Sequence, residues 1–247
     1  MIVTAALPGM PEVRPGDDLA RLLADAAGRL ADGDVLVIAH KIVSKAEGRV
    51  AALAGVQPGE RACALAAEHR KDPRLVEVIL GESEAIVRSR RGALICRTHH
   101  GYVCANAGVD ASNAPAAGDV VLLPLDPDAS ARALRARLRE LTGVAPAVII
   151  SDSFGRAWRI GQCDVAIGVA GLLPCEDWRG RRDGAGRMLE ATVIAIADQA
   201  AAAADLVRRK DSREPAVLVR GLERHVTPGD GPGAAALVRE RGEDLFL

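Results

Sequence analysis

Three stretches of this 247-residue chain carry polar side chains in patterns that packing alone does not require. In Ala39-His40-Lys41-Ile42-Val43-Ser44-Lys45-Ala46-Glu47-Gly48, lysines sit just past an apolar run, where an ammonium can meet phosphate oxygens as a point charge. Taken alone, this stretch is better explained by solvated lysines opening a helix. In Val103-Cys104-Ala105-Asn106-Ala107-Gly108-Val109-Asp110-Ala111-Ser112-Asn113, small residues surround the polar ones, so the backbone can come close to a ligand. Asp110 offers hard oxygen for a divalent ion, and Asn106 and Asn113 offer amide donors and acceptors. A run of Asx-turns in an ordinary loop accounts for this stretch equally well. In the third, Ile149 to Gln162, a carboxylate (Asp152) ends an apolar run and is followed by Ser153, Arg156 and Arg159. That order suits metal-assisted phosphate chemistry, with Asp152 binding a cation while Arg156 or Arg159 clamps an anion. Helix capping by Asp152 or Ser153 is the competing account, and it leaves the arginines unexplained.

Other polar groups have plainer readings. His99 and His100 are adjacent, so their side chains point in different directions, as surface histidines do. His40 reads equally well as a satisfied residue at a strand end. Asp177, Arg179, Arg181, Arg182, Asp183 and Arg187 form a charged, glycine-rich connection. The sequence has no G-x-x-x-x-G-K-[ST] phosphate loop, no G-x-G-x-x-G after a strand and no G-x-S-x-G elbow, so a nucleotide would be gripped in a less common way.

The elements that position these groups alternate between short β-branched runs and helical periodicity, which predicts a mixed α/β or α+β core. Ile2 to Ala5 reads as a strand, and Asp17 and Asp18 as caps for a helix with Leu19, Leu22, Leu23 and Ala26 on one face. Asp34 to Ala39 reads as a fully buried strand, which puts His40, Lys41 and Lys45 at its carboxyl end, where ligands of open α/β sheets sit. Asp72-Pro73 opens a helix. Alternation marks Ala93 to Cys96 and the surroundings of Val103, Asp119 to Leu123 reads as a strand, and Ala131 to Leu141 as a helix stopped by Gly143. Pro146 to Ser151 reads as a buried strand delivering Asp152 into a turn, and Asp164 to Ala170 as a glycine-rich strand. Ala197 to Arg209 is predicted helical, Ala216 to Arg220 a strand, and Thr227 to Gly233 a loop. No repeat, linker or low-complexity tract divides the chain, so residues 1–247 are expected to act as one catalytic unit.

Composition removes whole classes of function. A net charge of -1 argues against a nucleic-acid or membrane-surface binder. Two Trp, one Tyr and two Phe leave few stacking platforms, so binding must rely on charge, metal and backbone contacts. Five cysteines (Cys63, Cys96, Cys104, Cys163, Cys175), odd in number and without a C-x-x-C pair, speak against a disulfide framework or a structural zinc site and read as small core hydrophobes. Without a basic, apolar leader or a membrane-length run, the expected location is the cytoplasm.

Several blocks, in order along nearly the whole chain, resemble the coenzyme F420-0:L-glutamate ligase (γ-glutamyl ligase) family. They are Gly9-Met10-Pro11-Glu12-Val13 running into Gly16-Asp17-Asp18-Leu19, then Val43 to Gly48, the specific Asn106-Ala107-Gly108-Val109-Asp110-Ala111-Ser112-Asn113 and Ser151-Asp152-Ser153-Phe154-Gly155-Arg156. Arg159 to Gly168, Ala197-Asp198, Ala202 to Val207 and Pro215 to Gly221 continue the likeness. The resemblance implies a two-lobed ligase-type fold of the α+β class with a mixed central sheet. It implies GTP-dependent amide formation, in which GTP phosphorylates the terminal carboxylate of F420-0 and the amine of L-glutamate attacks the acyl phosphate. It further implies two divalent ions, magnesium or manganese, leaves room for potassium, and points to a homodimer. Another carboxylate acceptor, or a nucleotide-binding relative without turnover, stays open.

Carried onto this chain, Asp110 and Asp152 match ligands of the first metal and Ser153 a hydroxyl ligand of the second. Met10, Pro11, Glu12, Val13, His40, Lys41, Lys45 and Asn113 match GTP-contacting positions, with Lys45 assigned to phosphate neutralisation and Asn113 to orienting the nucleotide. Lys45, Asp110, Asp152 and Arg156 are the expected catalytic set, Arg156 and Arg159 being added to hold an anionic substrate group. One departure stands out. Archaeal-type members carry Gly-Glu near the end of the alanine-rich helix, with the glutamate on the second metal. Here that stretch is Arg208-Arg209-Lys210-Asp211. Arg209, Lys210 and Asp211 therefore fall at nucleotide-side positions, and a charged lysine cannot ligate a cation. A weaker second ion, Asp211 in its place, or Lys210 on phosphate directly all remain open.

Overall fold

The structure, a computed structural model, describes residues 1–209 and 211–244. A five-stranded mixed sheet forms its centre, in the order β1 (Val3–Ala6), β12 (Ala216–Arg220), β2 (Val35–Ala39), β8 (Ala147–Arg156) and β9 (Arg159–Ala170). Only β2 and β8 run parallel, with Ala39 opposite Ser151 at their carboxyl ends. The other pairings are antiparallel. With its helices and mixed sheet the molecule is of the α+β class, as the sequence predicts.

Central strands with both faces covered need apolar residues at every position, and the buried run Val35 to Ile38 supplies them. The two faces have separate cores. On one, Leu36, Ile38, Val148 and Ile150 pack with Leu19 and Leu23 of α1 (Leu19–Ala27) and Leu138 of α5 (Pro127–Thr142). On the other, Val35, Val37, Ala147 and Ile149 pack with Ala197, Ala200, Ala201 and Ala204 of α6 (Ile196–Asp205). Each fully buried Leu, Ile or Val contributes roughly 1.5–3 kcal/mol relative to exposure. Alanines on α6 let that helix lie close to the sheet.

Caps fix where the helices begin and end. Asp18 accepts the Arg21 N–H at 3.1 Å to start α1, and Asp126 accepts that of Ala129 at 2.8 Å, with Pro127 in the first turn, to start α5. Gly143, at φ 77°, ends α5. By contrast, α2 (His40–Ala46) begins directly where β2 ends, with Ala39 at its cap position and no side-chain cap.

A third apolar cluster lies outside this sheet. It joins α3 (Glu60–His69) and α4 (Pro73–Gly81) to an antiparallel sheet of β4 (Ser83–Arg90), β5 (Ala93–Thr98) and β6 (Val103–Ala105), through Ala62, Val76, Ile79, Leu94 and Cys96. Two-stranded pairs β3 (Val50–Ala52) with β7 (Asp119–Val121), and β10 (Cys175–Asp177) with β11 (Val193–Ala195), complete the strands. Arg49 ties the parts together: its Nη2 donates to Glu82 at 2.6 Å and its Nε to the Leu123 carbonyl at 2.9 Å. No helix among the described residues is long and apolar enough to cross a membrane.

Three expectations are corrected. Asp152 does not enter a turn: β8 continues through it to Arg156 and forms a long hairpin with β9, whose strand begins at Arg159 rather than Asp164. A helix cap at Asp152 or Ser153 is thereby excluded. The alanine-rich helix ends at Asp205, four residues before Arg209. Of the cysteines, Cys96 and Cys104 are buried, Cys163 and Cys175 half-buried and Cys63 exposed, so only the first two serve as core residues.

Candidate active site

Strand alternation decides which way each group at the end of β8 faces. Asp152 follows Val148 and Ile150 onto the α1/α5 face, whereas Ser151 and Ser153 follow Ala147 and Ile149 onto the α6 face. Asp152 therefore meets the start of α2. His40 Nε2 lies 3.3 Å from Asp152 Oδ1 without the alignment of a hydrogen bond. His40 is buried, and its Nδ1 lies 3.3 Å from Ser44 Oγ. The Ser153 N–H donates to Asp152 Oδ1 at 2.8 Å. Burial pushes the Asp152 carboxyl up, but the His40 charge and contact, the Ser153 N–H and the Lys41 charge outweigh it and hold the group below its ordinary value.

Lys41 also brings in Asp110. Its Nζ donates to Asp110 Oδ2 at 2.6 Å and to Ser112 Oγ at 2.5 Å. The loop turns sharply there, with positive φ at Asn106, Ala107 and Gly108 before Asp110. Asp110 is anchored by backbone pairing with Val121, and its Oδ1 accepts the Ser112 N–H at 2.7 Å. Burial raises the Asp110 carboxyl, and the Lys41 and Ser112 hydrogen bonds more than offset that, so its net shift is downward. The two carboxylates, 42 residues apart in sequence (positions 110 and 152), thus meet adjacent residues at the start of α2, Asp110 on Lys41 and Asp152 beside His40.

Lys45, one turn on in α2, is buried, and its ammonium pairs with the exposed carboxylate of Glu12. Val13 is buried in the core against which Met10 packs, while Pro11 and Glu12 are exposed. Pro11 and Glu12 border a hollow of about 540 Å³ shared with Arg14, Asp17, Asp18, Arg21 and Leu22, within the size range of small-ligand sites. The segment of residues 10–13 and the loop of residues 106–113 are each linked to α2 by an ion pair, Glu12 to Lys45 in its last turn and Asp110 to Lys41 in its first. Asn113 is exposed at φ 56°.

Other expected residues lie elsewhere. Arg156 and Arg159 are exposed partners near the hairpin tip, where Arg156 Nη2 donates to the Ile160 carbonyl at 2.7 Å and its Nε to that of Gly161 at 3.3 Å. That guanidinium closes a turn. Arg209 and Asp211 are exposed and pair with each other at 3.4 Å. Lys210 lies outside the described residues. His100, read as a surface histidine, is half-buried: it stacks on Tyr102 and its Nε2 is 2.9 Å from the Pro124 carbonyl.

Sequence reasoning missed the partner of Ser153. The Ser153 hydroxyl donates to Asp164 Oδ1 at 2.6 Å and that of Ser151 to Asp164 Oδ2 at 2.9 Å. Asp164 is fully buried and ion-paired with Arg208, whose Nη2 also donates to Ser151 Oγ at 3.1 Å. The available signal was a lone carboxylate at an inward position of the otherwise apolar run Asp164 to Ala170.

Asp110 and Asp152, which meet the neighbouring residues Lys41 and His40, offer hard carboxylate oxygens, the donor type that suits magnesium or manganese held by one or two carboxylates plus substrate phosphates. Among the described residues, no three His, Cys, Asp or Glu side chains are gathered to hold a metal by themselves. Ser153 faces away from Asp152 and its hydroxyl donates to Asp164, while Asp211 pairs with Arg209 in solvent.

Comparison with known proteins agrees over almost the whole chain. A profile of the F420-0:gamma-glutamyl ligase family matches residues 9–221. A coenzyme F420:L-glutamate ligase of Methanopyrus kandleri is 51% identical over 95% of this chain and 93% of its own. That of Methanothermobacter thermautotrophicus is 47% identical over 96% of each, and that of Haloarcula marismortui 44% identical over 97% of this chain and 93% of its own.

Proposed function

The chain belongs to the F420-0:gamma-glutamyl ligase family, and from that premise we propose that it joins L-glutamate to coenzyme F420-0 through a γ-glutamyl amide at the expense of GTP. The observation that supports the reading is the meeting of Asp110 with Lys41 and of Asp152 with His40 at the start of α2, one helical turn before buried Lys45. A carboxylate is a poor electrophile because its oxygen leaves badly. Transfer of the γ-phosphoryl group of GTP to that oxygen releases GDP and makes the oxygen part of a good leaving group. The glutamate amine then attacks the carbonyl carbon, the bond to the phosphate oxygen breaks, and inorganic phosphate departs as the nitrogen loses its protons.

Phosphoryl transfer asks a protein mainly for positioning and charge neutralisation. Lys45 and Lys41 are assigned as the cations for the phosphates, the hollow beside Pro11 and Glu12 as the place for the nucleoside end, and Asn113 as a residue that orients it. Asp110 and Asp152 would hold a magnesium or manganese ion, which, when bound, would neutralise phosphate charge. Buried His40 keeps the Asp152 carboxylate ionised and aimed. Arg156 and Arg159 are assigned to anionic substrate reaching the hairpin, a minor role given their exposure.

Purified protein incubated with F420-0, GTP, L-glutamate and Mg²⁺ or Mn²⁺ should release GDP and phosphate in step with a γ-glutamyl product, read by mass spectrometry. Absence of the amide product, with turnover of a different carboxylate acceptor, would overturn the substrate assignment.

A further inference from the structure

Ser151, Asp152 and Ser153 are consecutive in β8, and their side chains alternate across the sheet. The two hydroxyls flanking Asp152 both donate to one carboxylate, Asp164 of β9, which sits directly opposite Ser153 in the ladder. Asp164 is enclosed, and its charge is met by Arg208, whose side chain is only 9% exposed and which also binds Ser151 Oγ and, at 3.3 Å, the Pro215 carbonyl. A carboxylate has acceptors only, so both serines must spend their single proton on it. The result is a compact polar cluster gripping the strand on the α6 face at the positions either side of the residue that faces His40 and Lys41.

We propose that Asp164, clamped by Arg208, is a positioning residue for Asp152, acting through the Ser151 and Ser153 hydroxyls that flank it. The proposal rests on the reading of Asp110 and Asp152 as the ion's carboxylates. Strand geometry makes the coupling direct. Holding the Ser151 and Ser153 side chains fixes the peptide planes around Asp152, and so its side-chain direction, without any contact to the ion. Outer partners of metal ligands influence affinity in this way, their loss lowering it by about 10–100-fold.

The test is a Mn²⁺ titration of the full chain, with free Mn²⁺ read by electron paramagnetic resonance, so that no turnover is needed. The wild type should bind Mn²⁺. Asp164→Asn should bind it about 10–100-fold more weakly, Ser153→Ala should weaken binding, and Ser153→Thr, which keeps the hydroxyl, should match the wild type. Should Asp164→Asn fail to fold with Arg208 left unpaired, Asp164→Asn/Arg208→Met removes both charges together and should show the same weakening in a folded protein. Wild-type affinity in the Asp164 variants would overturn this inference and leave the ligase reading intact. No bound ion in the wild type would overturn both this inference and the carboxylate assignment.

Discussion

At its base the β8–β9 hairpin sets Val148 opposite Ala170 and Ile150 opposite Gly168, inside a sheet covered on both faces; at its tip, Trp158 and Ile160 are 87% and 99% exposed. The backbone ladder is common to both ends, so the ladder alone does not distinguish them. At the base the strands are also fixed by apolar packing and by the Asp164 cluster, while the tip has its ladder and the Arg156 contacts across the turn. Asp152 lies where one regime gives way to the other, next to the last residue that β2 still pairs. A carboxylate at that junction gains the rigidity of the core while still bordering open space, and strand-borne sites are more sharply positioned than loop-borne ones for this reason.

The largest expected effect breaks the hairpin into these two parts by function. Asp152→Ala should lower kcat by about 10³-fold, the scale for removing a group that organises charge around a transferring phosphoryl. Arg156→Ala, at the tip, should lower kcat/KM by less than about tenfold. A tip variant as damaging as Asp152→Ala would mean that the exposed end enters the reaction directly. Stability gives the next contrast. A β-carbon on Gly168 would collide with the Pro127 carbonyl of α5, whereas one on Gly155 meets nothing. Urea unfolding should show Gly168→Ala destabilised by about 1–3 kcal/mol and Gly155→Ala within about 0.5 kcal/mol of the wild type.

Acid titration provides the smallest and finest contrast. The Asp152 carboxyl is held below its ordinary value of 3.8, so its contribution to stability is complete above that value and is lost as pH falls through the lowered one. The melting temperature should therefore drop on acidification below about pH 4, and in Asp152→Asn the drop should be shallower by about 2–4 °C. An unchanged acid limb in the variant would show that the junction carboxylate draws nothing from its surroundings.

Legibility in the sequence followed the same division. Val35 to Ile38 is buried on both faces and reads as a continuous apolar run, so β2 and the polar groups at its carboxyl end were placed correctly, as was β12 from Ala216 to Arg220. Aspartate caps and Gly143 marked helix ends because each does a local job that residue type alone reveals. The outer part of the hairpin was missed: Arg159 to Gln162 is exposed, so no burial contrast imposes the alternation by which a strand is recognised. For α3, whose sequence is largely alanine and charge, the apolar stripe is too weak to stand out. The pairing of Asp110 with Lys41 was not legible, since nothing in the spacing of the two residues shows that they meet. Asp164 was passed over because its meaning comes from the two serines across the ladder, a relation invisible until the register is known.

That register imposes an arithmetic on any change of length. Adding one residue to β8 ahead of Ser151 would present a hydroxyl to His40 and turn a carboxylate against Asp164, two negative groups meeting in an enclosed space. Adding two would restore every facing while moving the tip outward by about 6.5 Å, two strand steps. Away from the irregularities its ladder already carries between Ile150 and Ser151 and between Gly155 and Arg156, the hairpin therefore keeps its facing only when it lengthens or shortens by pairs of residues.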